Sequence, residues 1–164
     1  MNLLPPQDLY SEILPGLWQG GTNDFDTLEF PKEYPIWKSQ REFDSVATLY
    51  AIAHPVGWGV AERRFGFPDS SLDEKNLPEI HAIADWVYEE WKSGKRVLVR
   101  CQMGWNRSGL ITALALMKSG YDPKHAIDLI RARRSPHALC NTDFVHYLMN
   151  LTHKSNVEVR SCIK

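Results

Sequence analysis

Apolar positions follow two different periods along the chain, and the change falls near residue 76. Before it the apolar runs are short. SEILPGLWQGG reads as two strand pieces around Pro15-Gly16, closed by Gly20-Gly21. FDSVATLYAI, residues 43–52, is β-branched and apolar enough for a buried strand. AERRFGF supplies a further strand stopped by Pro68, after a Gly- and Pro-rich loop at 54–58. Then Leu77, Ile80, Ala84, Val87 and Trp91 recur at steps of three and four, which predicts an amphipathic helix. Asn76 and Glu79 are its expected capping pair, and Gly94 its stop. RVLVR is a short strand suited to the middle of a covered parallel sheet. Residues 108–118 are apolar nearly all round and predict a buried central helix. Asp122-Pro123 opens another helix, as N-cap and first-turn proline, running to about Arg134. A final helix is expected over 142–151. Strands first and helices later predict an α/β fold, a single domain whose central, mainly parallel sheet of four or five strands is flanked by helices. The domain is expected over residues 11–152, with tails at 1–10 and 153–164 and an edge-strand candidate in VEVRSCIK.

Composition narrows the classes. The 164 residues are 43% hydrophobic and 24% charged, the profile of one folded domain. A net charge of −1 provides no global basic field, so stable binding to nucleic acid is not expected. A local basic pocket remains open to Lys95, Arg96, Arg100 and Arg107, which lie close together in sequence. No apolar run is long enough to span a membrane, and the opening MNLLPPQDLY has no basic n-region, so no signal peptide is expected. Cys101, Cys140 and Cys162 show neither metal-ligand spacing nor a disulfide framework, which points to a cytoplasmic protein. His54, His81, His125, His137, His146 and His153 are dispersed, so neither metal nor other cofactor is expected.

The chemistry concentrates in VLVRCQMGWNRSGLI, residues 97–111. Taken alone, Cys101 is a small buried hydrophobe at a strand end or a nucleophile facing an anion. Its context favours the second. A strand, a short loop and a buried helix make a cup of backbone N–H groups at a helix N-terminus, where an anion sits well. Gln102, Met103, Gly104, Trp105, Asn106 and Arg107 form that loop. Gly104 permits close backbone approach, and Arg107 presents a planar fork to two phosphate oxygens. Helix N-termini and nearby cations also favour a thiolate over a thiol. Ser108 is placed to donate its hydroxyl to the sulfur.

These residues match a known pattern. Cys101, Arg107 and Ser108 resemble the Cys-x5-Arg-Ser/Thr signature of the cysteine-dependent protein tyrosine phosphatase superfamily, and the chain length resembles its dual-specificity branch. ILPGLWQGG, the helix before RVLVRC, and HAIDLIRARRSPHALCNTDFVHYL extend the likeness over roughly 12–151, with interruptions at 22–42 and 51–60. The resemblance implies Cys101 as nucleophile, Arg107 as phosphate ligand and Ser108 as leaving-group stabiliser. It also implies Asp69, thirty-two residues before Cys101, as general acid, with Asp73 as its rival. Asn141 and Phe144 match a segment that packs near the phosphate loop. Arg100 stands where the family normally has histidine, and either adds positive charge, points to solvent or pairs with an acid. Trp105 and Asn106 border the pocket mouth or pack on a neighbouring loop. Arg131, Arg133 and Arg134 read as a solvated face at a helix C-terminus. The implied function is hydrolysis of phosphomonoesters, phosphotyrosine and/or phosphoserine and phosphothreonine in proteins, through a cysteinyl-phosphate. GWNRSG also resembles the core of capping-type RNA 5′-triphosphatases of the same superfamily. A non-catalytic phosphate-binding module is the third reading.

Overall fold

The computed structural model describes residues 8–22 and 42–161. Its strands are β1 (Tyr10–Leu14), β2 (Leu17–Gly20), β3 (Ser45–Thr48), β4 (Ala61–Arg64) and β5 (Val97–Arg100). The helices are α1 (Leu77–Lys92), α2 (Arg107–Lys118), α3 (Pro123–Arg133) and α4 (Thr142–Ser161). One five-stranded sheet has the order β1-β2-β5-β3-β4, antiparallel only between β1 and β2. The expected α/β domain with a mainly parallel central sheet and flanking helices is thus the observed one.

Strand parity distributes the core. Val97 and Val99 of β5 join Ala47, Leu17 and the buried residues of all four helices in the main cluster. Leu98 packs on the opposite face with Val46 and Phe43, under Tyr10, Trp18, Val56 and Val60. Arg100 follows Leu98 at a step of two and therefore leaves the sheet on the face away from the helices. Helix α2, apolar all round as predicted, is buried along most of its length. β4 is an edge strand and carries Glu62, Arg63 and Arg64, charges that discourage pairing with another chain.

Several local expectations change. The strand in FDSVATLYAI is only four residues long, because Asp44 turns to accept the Arg96 N–H (2.9 Å) and a turn follows at Tyr50. Asn76 makes no side-chain cap. Asp73 instead caps a 3-10 turn over Glu74–Asn76, and Glu79 pairs with Arg63 at 3.1 Å. The cap at Asp122 is as expected, accepting the His125 N–H at 3.1 Å. The C-terminal residues expected as a tail or edge strand continue α4 to Ser161, beyond the predicted end at 151. At the other end β1 already begins at Tyr10. Most of the unmatched stretch at 22–42, and Cys162, lie outside the described residues.

Candidate active site

β5, the central strand, delivers Cys101 to the C-terminal end of the parallel strands, where its N–H donates to Gly20 O at 3.2 Å. The chain then turns through residues 102–106 into α2. Gly104 adopts φ +71°, and a Cβ there would meet Gly20 C at 2.3 Å, so the loop lies directly on the Gly20-Gly21 end of β2. A Cβ on Gly21 would come 2.9 Å from Gln102 O. The glycine pair at the end of β2 therefore makes room for the loop.

Every loop carbonyl from Gln102 to Asn106 is held from outside. Gln102 O accepts the Thr22 N–H (3.0 Å), and Trp105 O accepts that of Leu139 (3.2 Å). Gly104 O accepts both Gln19 Nε2 (3.1 Å) and Arg134 Nε (3.2 Å), while Met103 O accepts Arg134 (3.4 Å). Asn106 O takes the Leu110 N–H of α2 at 2.8 Å. Among the described residues, no acceptor takes the backbone N–H groups of Gln102, Met103, Gly104, Trp105, Asn106 or Arg107. Carbonyls anchored outwards and amides left over at a helix N-terminus give the loop the chemistry of an anion nest.

The expected side chains assemble around it. Cys101 is buried, with its Sγ 3.3 Å from Oγ of the fully buried Ser108. Arg107 is also buried. Its Nη1 donates to Phe67 O (3.2 Å) and Leu49 O (3.4 Å), its guanidinium lies 5.3 Å over the Tyr50 ring, and Nε has no partner among the described residues. Asp69 is exposed and reaches the loop through Asn106, whose Nδ2 donates to Oδ2 at 3.0 Å. Asn141 Nδ2 donates to the other oxygen at 2.9 Å. The rival Asp73 faces Lys75 instead, at 2.8 Å. Gln102 and Met103 are exposed on the loop.

Of the two places the sequence left open to Trp105 it takes the packed one, buried against His137 with ring centroids 5.6 Å apart. Phe144 packs on Phe67, behind the acid-bearing turn. Arg134, read as part of a solvated face, is buried. Besides Gly104 O and Met103 O it donates to Asp8 O (2.8 Å) and Ser11 Oγ (3.0 Å). Burial pushes its guanidinium below the ordinary value, while its Coulombic neighbours, Cys101 and then Asp8, work to raise it. A cation thus sits behind the loop within electrostatic reach of the sulfur. Arg131 likewise donates to Ala138 O (3.1 Å) and Leu139 O (2.9 Å), and Leu139 holds φ +56°. These arginines brace the segment that supports the loop. Their sequence signal, three arginines closing a helix, looks the same as an exposed basic end.

Arg100 pairs with an acid, one of the alternatives left open by the sequence. It is fully buried, donating to Thr48 Oγ1 (2.9 Å), His54 O (2.6 Å) and Glu62 Oε1 (3.4 Å). Burial lowers its basicity and Glu62 opposes that effect. Arg64 joins the same network through Glu62, Ala53 O and His54 O. Among the described residues, no three His, Cys, Asp or Glu are grouped to hold a metal ion, and no helix is long and apolar enough to cross a membrane.

Residues 61–154 match the family described as dual specificity phosphatase, catalytic domain. The chain belongs to the dual specificity phosphatase family. The matched domain is a phosphatase catalytic domain, that of hydrolases acting on phosphoesters. Solved structures share its fold. Human DUSP28 superposes with a TM-score of 0.69 at 16% identity, over 91% of this chain and 98% of that one. The human tyrosine phosphatase-like serine/threonine/tyrosine-interacting protein gives 0.68 at 18% identity, over 89% and 97%. PTPMT1, in complex with PI(5)P, gives 0.62 at 16% identity, over 90% and 99%. No curated protein matches the sequence.

Proposed function

We propose that this dual specificity phosphatase domain hydrolyses phosphomonoesters of tyrosine and/or serine and threonine in proteins, through a cysteinyl-phosphate. The observation that carries the reading is the nest of unpartnered amides around Cys101, with Ser108, Arg107 and Asp69 gathered at its rim. A phosphoryl group would lie in the nest with its oxygens on the loop N–H groups and on Arg107 Nε. Cys101 Sγ attacks phosphorus, the S–P bond forms and the ester P–O bond breaks. The Asp69 carboxyl gives its proton to the departing oxygen. In the second step Asp69 takes a proton from water, whose oxygen attacks phosphorus. The S–P bond then breaks, with the Ser108 hydroxyl donating to the departing thiolate. Phosphate is released and Asp69 is again protonated for the next turnover. No cofactor is called on.

Asp69 also bears on the RNA 5′-triphosphatase reading suggested by GWNRSG. A carboxyl hydrogen-bonded to the phosphate loop is suited to protonating an alcohol or phenol, a demand a pyrophosphate leaving group does not make. The test compares phosphate release from phosphotyrosine, phosphoserine and phosphothreonine peptides with release from triphosphate-ended RNA. Preference for the peptides is expected, and faster release from RNA overturns the assignment of substrate class.

A further inference from the structure

The acid-bearing turn is fastened to the phosphate loop by two amides whose orientation is fixed. Asn106 Oδ1 accepts the backbone N–H of Asn141 at 3.0 Å, so its Nδ2 must face Asp69 Oδ2. Asn141 Oδ1 accepts the N–H groups of Asp143 (3.1 Å) and Phe144 (3.3 Å), capping α4, so its Nδ2 must face Asp69 Oδ1 and Ser70 O (3.1 Å). Each carboxyl oxygen of Asp69 therefore receives one amide N–H. Each keeps a second lone pair, so the carboxyl can carry its proton while both bonds stay in place. The two amides belong to different elements, the loop beside Cys101 and the start of α4, and the Asn106 side chain also accepts the Asn141 backbone N–H. The acid, the loop and α4 thus form one triangle of hydrogen bonds.

We infer that Asn106 and Asn141 are positioning residues for the general acid, an amide clamp that holds Asp69 over the phosphate loop. The inference rests on the phosphatase reading and adds to it that acid catalysis depends on side chains which need not touch the phosphoryl group. Phosphate binding draws on the Asn106 backbone N–H, whereas the clamp draws on its side chain, and substitution separates the two. An acid that swings freely loses its alignment with the leaving oxygen, and the loss is largest where that oxygen most needs a proton.

The experiment measures kcat/KM for a series of aryl phosphates whose phenols range from acidic to weakly acidic. It uses wild type, Asn106→Ala, Asn141→Ser and Asp69→Asn, with both clamp variants repeated in the Asp69→Asn background. Serine at 141 preserves a helix cap but is too short to reach Asp69. Comparing substrates on one preparation removes any dependence on the folded fraction. The clamp variants are expected to lose at least about tenfold more on the least acidic phenol than on the most acidic, and to add no such dependence once Asp69 is gone. A loss equal for all phenols, or a leaving-group dependence that persists in the Asp69→Asn background, overturns the clamp and leaves the phosphatase reading intact. Absence of turnover by wild type overturns that reading and the clamp with it.

Discussion

The path of the loop after Cys101 depends on a residue without a side chain. That residue is Gly104, since its positive φ and the 2.3 Å approach of a Cβ to Gly20 leave no space for a side chain. Gly104→Ala is expected to displace the loop and lower kcat/KM on an aryl phosphate by about 100-fold, checked by steady-state assay. Cys101, Arg107 and Ser108 were legible in the sequence because their offsets are covalently fixed within one turn. Asp69 needed the family resemblance, since no local pattern ties a turn aspartate to a cysteine thirty-two residues on. Arg134 was not legible. Its role depends on tertiary approach to Gly104 O, Met103 O and Asp8 O, while its helix-end position resembles that of any exposed arginine. Arg134→Lys keeps the charge and loses the fork. It is expected to lower unfolding stability by about 2 kcal/mol, read by urea titration.

Among the elements, α2 and α3 were predicted nearly to their ends. Apolar periodicity and the Asp122-Pro123 pair are local signals that no tertiary contact opposes. Asp122→Ala removes the cap on His125 N–H and is expected to cost about 1 kcal/mol in urea unfolding, with kcat unchanged. The start of α1 was misread for an equally local reason. Asp73 competes as a cap one turn earlier, and Glu79 is drawn to Arg63 across the sheet edge. β3 was overextended because FDSVATLYAI is mostly apolar or β-branched, whereas the hydrogen bonds of Asp44 and the turn at Tyr50 decide where pairing stops. Those are long-range or turn effects that apolar content does not encode.

At the scale of the whole molecule, sheet parity gives neighbouring residues opposite duties. Cys101 faces the helical layer, while Arg100 enters the network of Thr48, Glu62 and Arg64 on the other face. That network fixes the 51–54 turn through the carbonyls of Ala51, Ala53 and His54. Arg100→Met leaves Glu62 half-compensated and is expected to cost roughly 2 kcal/mol. Adding Glu62→Gln should restore part of that cost in a double-mutant cycle of unfolding free energies. A pH effect belongs to this scale too. The Glu90 carboxyl is held below its ordinary value first by Lys95 and then by Ser45. Its contribution to stability is full above the unfolded carboxylate value and is lost as pH falls through the lower folded value. Thermal unfolding should therefore show a shallower acid-side decline in Glu90→Gln than in wild type.

In the proposed mechanism Cys101 carries the phosphoryl group between the two steps. Acid quenching of wild type during turnover of a labelled phosphopeptide, followed by proteolysis, locates the covalent phosphate. Label on the peptide containing Cys101, absent from Cys101→Ser together with turnover, is the result predicted here. Turnover that survives in Cys101→Ser, or label on another residue, would contradict it.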